Sequence, residues 1–168
     1  MYRTFVLSLL ACASMALCAD PAAAGGIVRQ ESSPPALIHP AVTVGPGTTL
    51  IFVSGQVADP KVLPQSPGSP SGAIDLGDTK AQTISALSKI ELILAKQGFK
   101  ISDIVKLTVY LVGDPALGGR MDFDGMNAGF RQFFRTPENP STVARSTVQV
   151  AGLAGAAHLV EIEAIAAK

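Results

Sequence analysis

Val143-Ala144-Arg145-Ser146-Thr147-Val148-Gln149-Val150, read with the return segment His158-Leu159-Val160-Glu161-Ile162-Glu163-Ala164-Ile165-Ala166, decides how this chain is built. In the first segment Val143, Arg145, Thr147 and Gln149 fall on one face, and Ala144, Ser146, Val148 and Val150 on the other. Such period-two alternation, rich in β-branched residues, is that of a strand. The second segment alternates in the same way. Between them Ala151-Gly152-Leu153-Ala154-Gly155 offers glycines for a hairpin loop. A hairpin centred on Leu153 places Arg145 directly opposite Glu161, with Cβ atoms about 5 Å apart on one face. Taken alone, the pair reads as a cross-strand salt bridge, which on an exposed strand contributes little. Glu163 shares the face of Glu161 and becomes the partner if the register slips by two.

The remainder of the chain is that of one domain. It has 168 residues, 48% of them hydrophobic and 15% charged, and a formal net charge of zero. That is ample apolar material for a core and too little charge for a disordered chain. There is no basic run and no aromatic-interleaved Lys/Arg patch, so nucleic-acid binding has no electrostatic support.

The N-terminus has the form of a cleavable leader. Arg3 supplies a positive start, Thr4 to Leu17 an apolar stretch, and Ala22-Ala23-Ala24 the small residues for cleavage before Gly25. The expected organisation is a signal peptide over 1–24 and a single domain over 25–168. The leader is too short for a convincing membrane span, so no stable membrane insertion is expected and the destination is periplasmic or secreted. Leu9-Leu10-Ala11-Cys12 leaves a lipoprotein leader as the minor alternative. Both cysteines, Cys12 and Cys18, lie in the leader. The processed chain therefore has no thiol for a disulfide, a nucleophile or a metal.

Gly25 to Pro35 reads as a flexible lead-in, and Ala36 to Val44, broken by Pro40, as a weak edge strand. After the turn Gly45-Pro46-Gly47, Thr49 to Ser54 is an apolar strand expected to be buried on both faces. The proline-rich run Asp59–Gly72 is a loop. Asp78 caps a helix running to Gln97 and closed by Gly98, with Ile84, Leu87, Ile90, Leu94 and Ala95 as its apolar stripe. Ile104 to Val112 is the second strong strand, and the β-α-β connection makes the two strands parallel candidates. Phe123 to Phe134 reads as a shorter helix with Met126, Phe130 and Phe133 inward. The order β-β-α-β-α-β-β predicts an α+β fold, two helices on one face of a mixed sheet.

Few residues could carry chemistry. His39 and His158 are isolated, without metal-ligand spacing, and read as surface or structural; no metal is expected. There is no phosphate-binding glycine loop and no Gly-x-Ser-x-Gly elbow. Arg145 and Glu161 remain. Arginine grips a carboxylate through two donors, and a glutamate in a partly closed site can hold and activate water. Hydrolysis of a C=N bond needs little more than that positioning and no cofactor.

The wording of the chain adds to this. Ala144-Arg145-Ser146-Thr147-Val148-Gln149-Val150 followed by Val160-Glu161-Ile162-Glu163-Ala164-Ile165-Ala166 resembles the C-terminal signature of the Rid family (RidA, or YjgF-type, imine/enamine deaminases). Phe52-Val53-Ser54-Gly55-Gln56 resembles its first motif, and Ser102 to Leu111 its middle. Asn127, in Met126-Asn127-Ala128-Gly129-Phe130, stands where the family places an asparagine. The resemblance implies a chorismate-mutase-like fold and a homotrimer with ligand sites in clefts between subunits. It also implies Arg145 as the anchor of the substrate carboxylate, Glu161 as the residue that orients water, and Ser54, Gly55, Asn127 and Thr147 as pocket lining. The chain departs from the family at two places. Val143 stands where a proline usually precedes Ala-Arg-Ser, and His39-Pro40-Ala41 lacks the pocket tyrosine that many members carry after Gly-Pro.

The expected function is hydrolysis of 2-imino or 2-enamino acids to 2-keto acids and ammonia. The rival expectation is a trimeric binding protein for small carboxylates without turnover. A ribonuclease-like activity, sometimes ascribed to the family, is disfavoured by the zero net charge and the leader.

Overall fold

The computed structural model describes residues 26–60 and 75–168. The leader and nearly all of the proline-rich run lie outside the described residues. A four-stranded sheet is formed by β3 (Leu50–Val57), β4 (Ile104–Val112), β5 (Ala144–Val150) and β6 (Val160–Ala167) in the order β3-β6-β4-β5. Short strands β1 (Ile27–Arg29) and β2 (Val42–Val44) pair antiparallel in a separate ribbon. The segment read as a flexible lead-in thus contains a strand, which Arg29 holds to the body by donating to Ser102 O at 2.9 Å.

The helix α1 (Thr79–Lys96) begins where Asp78 accepts from the Ala81 amide at 2.8 Å. It ends at Gly98, whose φ of +74° closes the helix in the left-handed region. Its buried face is Thr83, Ala86, Leu87, Ile90 and Leu94. Ile84 is only half-buried and Ala95 exposed, so the stripe is turned slightly from the one expected. Leu87, Ile90 and Leu94 meet Leu107, Val109 and Leu111 of β4 in one core, each fully buried Leu or Ile contributing about 1.5–3 kcal/mol.

The second helix, α2 (Phe123–Phe130), is shorter than the expected Phe123–Phe134. The chain turns after Phe130, so Phe134 is the buried ring, stacking on Phe130 with centroids 4.5 Å apart, while Phe133 is only partly buried. The two helices approach closely because position 129 lacks a side chain; a Cβ there would lie 2.8 Å from Thr83 Cβ. The α+β architecture, two helices on a mixed sheet, is as the sequence predicts.

The hairpin is not. β5 pairs parallel with β4, Leu107 beside Arg145 and Val109 beside Thr147. β6 pairs antiparallel with both β3 and β4, Tyr110 and Val57 flanking Glu161. β4 therefore lies between the two segments that were expected to pair. The central strand has an apolar face buried under the helices and two open edges to fill, and the alternation of β5 and β6 fits either edge equally. The connection passes over the end of β4 and is held by Gln82, which accepts from the Leu159 amide at 2.7 Å and donates to Ala157 O at 3.3 Å. β3 and β4, both antiparallel to β6, point the same way without touching as neighbours.

β3 is also not buried on both faces. Its Val53 enters the core, but Phe52 is 71% exposed and Leu50 44%. The sheet face opposite the helices, which carries Phe52, Tyr110, Val148, Glu161, Glu163 and Ile165, is not covered by any helix or strand among the described residues.

Candidate active site

Arg145 stands near the start of β5 beside the buried Leu107, so its side chain leaves the sheet toward α2. There its guanidinium carbon lies 4.5 Å from the centre of the Phe130 ring and 5.8 Å from that of Phe123. Nη2 donates to Asn127 Oδ1 at 2.7 Å. Nε and Nη1 are buried and have no partner among the described residues. Burial, and secondarily the charge of Arg131, lower the guanidinium pKa to about 10; it remains a cation at neutral pH. With one Nη2 hydrogen spent on Asn127, the other forms a fork with either Nε or Nη1. That is a carboxylate-binding geometry in an apolar setting, where charge-assisted bonds are strongest.

Asn127 is positioned by the start of α2, where Asp122 accepts from the Gly125 amide at 2.8 Å. A Cβ at position 125 would collide with the Asp122 carboxylate, so the glycine permits the cap. Thr147 follows Arg145 on the same face, with a buried hydroxyl that lacks a partner among the described residues. Gln149, next on that face, was not singled out by sequence. It accepts from the Met121 amide at 3.0 Å and donates to Gly119 O at 2.9 Å, fastening the loop before α2 to the strand.

Glu161 is elsewhere. It shares a face with Tyr110, and its carboxylate lies across β3 at Gly55, where any Cβ would collide with it. The β3–β6 register shifts between Val53 and Gln56, so Ser54 and Gly55 occupy an irregularity in the ladder. Among the described residues Glu161 has no hydrogen-bond or ion-pair partner. Glu163 does: it accepts from the Tyr110 hydroxyl at 3.0 Å, a bond that raises the tyrosine pKa. Ser54 and Glu163 line a concavity of about 290 Å³ with Phe52, Lys106, Thr108 and Ile165.

The predicted site residues thus fall into two groups on opposite sides of the sheet: Arg145, Asn127 and Thr147 toward α2, and Glu161, Gly55 and Ser54 on the uncovered side. The direct Arg145–Glu161 apposition does not occur within one chain. His39 is buried and not at the surface, its amide bonded to Val143 O at 2.9 Å. It lines another concavity, of about 340 Å³, with Lys106, Ala144 and Arg145. His158 is partly buried, Nε2 lying 3.2 Å from Ala58 O. Among the described residues no group of three His, Cys, Asp or Glu side chains converges as a metal site, and no helix is long and apolar enough to cross a membrane.

The family model described as endoribonuclease L-PSP matches residues 33–168. A Salmonella typhimurium protein named 2-iminobutanoate/2-iminopropanoate deaminase is 35% identical over 135 residues, 80% of this chain and 91% of the relative. Among solved structures, the Rid family protein YyfB of Yersinia pestis, of unknown function, has a TM-score of 0.62 at 24% identity, over 84% of this chain and 98% of that one. Escherichia coli TdcF with bound serine has a TM-score of 0.52 at 32% identity, over 74% of this chain and 84% of that one.

Proposed function

The chain belongs to the Rid (YjgF/RidA) family, and on that premise we propose that it hydrolyses 2-imino and 2-enamino acids to 2-keto acids and ammonia, in sites completed between the subunits of a homotrimer. The observation that carries the reading is the Arg145 guanidinium, buried among Phe130, Phe123 and Asn127 with two unpartnered donor nitrogens. A buried cation without a counter-charge is costly, and a ligand carboxylate meets both its charge and its donors.

Glu161 is the complementary group. Its carboxylate is free where that of Glu163 is engaged by Tyr110. It holds the water that adds to the C=N carbon and takes a proton from it. The proton passes to nitrogen to give a carbinolamine; the hydroxyl proton then also passes to nitrogen as the C=O bond forms and the C–N bond breaks, and ammonia leaves a 2-keto acid behind. An enamine first takes a proton at carbon to become the imine. Most of the rate enhancement asked of such a site is proximity, with the carboxylate fixing the imine against the water.

Since Arg145 and Glu161 leave opposite faces of the sheet, the site joins Arg145, Asn127 and Thr147 of one subunit to Glu161, Gly55 and Ser54 of a neighbour. The uncovered face supplies an apolar surface for that assembly: Phe52 is 71% exposed, Leu50 and Val148 44% each. The leader over 1–24 directs this activity outside the cytoplasm.

The test is keto-acid release from freshly generated imino acids, with Arg145→Ala beside the wild type. A rate above buffer that disappears in the variant supports a deaminase. The second reading, a binding protein for small carboxylates, has the serine-bound relative in its favour. It requires no rate above buffer, with carboxylate affinity that survives Glu161→Ala and not Arg145→Ala.

A further inference from the structure

We infer that Arg131 is a specificity-determining residue and that the preferred substrates are 2-imino dicarboxylic acids, whose side-chain carboxylate meets Arg131 while the 2-carboxylate meets Arg145. The inference rests on the deaminase reading and deepens it.

Arg131 is the C-cap of α2. It directly follows Phe130, whose ring supports the Arg145 guanidinium at 4.5 Å. Its amide bonds to Asn127 O at 3.1 Å, so it stands one helical turn beyond the side chain that orients Arg145. The two guanidiniums are close enough for the charge of Arg131 to disfavour that of Arg145. Neither guanidinium is ion-paired: the ion pairs among the described residues are Glu31–His39, Asp59–Lys89 and Glu31–Arg135. The Arg131 side chain is exposed and makes no hydrogen bond among the described residues.

Like charges held together without an anion oppose each other. A single ligand carboxylate on Arg145 relieves only one of them, because Arg145 is packed against aromatic rings and Arg131 is exposed. A second carboxylate, one or two methylenes further along the substrate, relieves both. The arrangement also selects against small apolar imines, which leave Arg131 unmatched but unburied. These remain substrates, only poorer ones.

The experiment compares wild type, Arg131→Gln and Arg131→Lys on freshly generated 2-iminosuccinate and 2-iminopropanoate. Binding of 2-ketoglutarate and pyruvate is measured in parallel by calorimetry. The expected result is a wild-type preference for the dicarboxylic imine. Arg131→Gln raises its KM about tenfold, the scale of one charge-assisted hydrogen bond. KM for 2-iminopropanoate and kcat for both stay within about twofold, and Arg131→Lys restores most of the preference. Turnover of 2-iminopropanoate with no preference for the dicarboxylic imine and no effect of Arg131→Gln overturns this inference and leaves the deaminase reading standing. No turnover of either imine, with 2-ketoglutarate bound more tightly than pyruvate only while Arg131 is present, overturns the deaminase reading and leaves the ligand class standing.

Discussion

Arg145 and Glu161 leave opposite faces of one four-stranded sheet, Arg145 from β5 at the level of Leu107 and Glu161 from β6 at the level of Tyr110. A site that uses both is shared between copies, and that has a consequence for mixed oligomers. Arg145→Ala and Glu161→Ala, each made alone, are expected to lose at least about a hundredfold in kcat/KM, the scale of removing an anchor or a positioned base. Coexpressed in equal amounts, and assembled as the trimer proposed above, they give mixed oligomers in which roughly a quarter of the sites have both groups intact, if each site draws on two neighbouring subunits. Recovery of that fraction of the wild-type rate is the expected outcome. Mixed trimers with no recovery would place both groups in the same subunit's site, against the geometry described above.

Asn127 acts through Arg145. Its Oδ1 holds Nη2 at 2.7 Å, and Asn127→Ala leaves a third buried donor unsatisfied, a loss of about 1–3 kcal/mol. The expected readout is a KM for imino acid raised about tenfold or more with kcat little changed, and a lowered Tm. Asn127→Asp goes further in binding while protecting the fold, since its carboxylate pairs with Arg145 and repels the substrate's. Calorimetric titration with pyruvate separates the two: weakened binding in the alanine variant, none measurable in the aspartate variant.

Gly55 has no side chain because the Glu161 carboxylate occupies the space. Gly55→Ala is therefore expected to displace Glu161 and lower kcat at least about tenfold, with pyruvate affinity at Arg145 unchanged. The backbone conformation at Gly55 is one any residue adopts, so the melting temperature should fall by only a few degrees. A variant with unchanged kcat would show that Glu161 works from a different rotamer than the one seen across β3.

Much of this was legible in the chain. Asp78 and Gly98 mark both ends of α1, and the alternation of 143–150 and 160–166 marks two strands correctly. What alternation does not encode is the partner. A period of two assigns each side chain to one of two faces, but β5 and β6 satisfy that equally well beside each other or on either side of β4. The correct arrangement depends on Gln82 bonding the Leu159 and Ala157 backbone, a contact between residues far apart in sequence that no local pattern announces. The face of Glu161 was lost with the hairpin, and so was the separation of the two half-sites. Gln149 and Arg131 were passed over for a similar reason. Their roles lie in neighbours supplied by other elements, and neither sits in a motif that names a chemistry.

His39 gives the last prediction. Its ring is buried, both nitrogens lack a hydrogen-bond partner among the described residues, and Nδ1 lies 3.7 Å from Glu31 Oε1. Burial lowers the imidazole pKa below its ordinary 6.5; Glu31 and the nearby Gln30 backbone pull the other way, and Arg135 and Arg29 add to the lowering. The unfolded chain therefore takes up a proton at a higher pH than the folded one. Between those two values the unfolded state binds more protons, so stability falls as pH is lowered. Glu31 works in a separate, more acidic window. The Arg135 hydrogen bond holds it below the usual 4.5, so its contribution is present above that value and lost as pH falls through the lower folded one. Urea midpoints taken from about pH 8 down to about pH 3 should decline in the wild type, starting near the ordinary histidine pKa. In His39→Gln, which keeps a polar side chain but cannot titrate, that decline should flatten while the drop below about pH 4.5 remains. Parallel curves for the two proteins above pH 5 would assign the decline to another group.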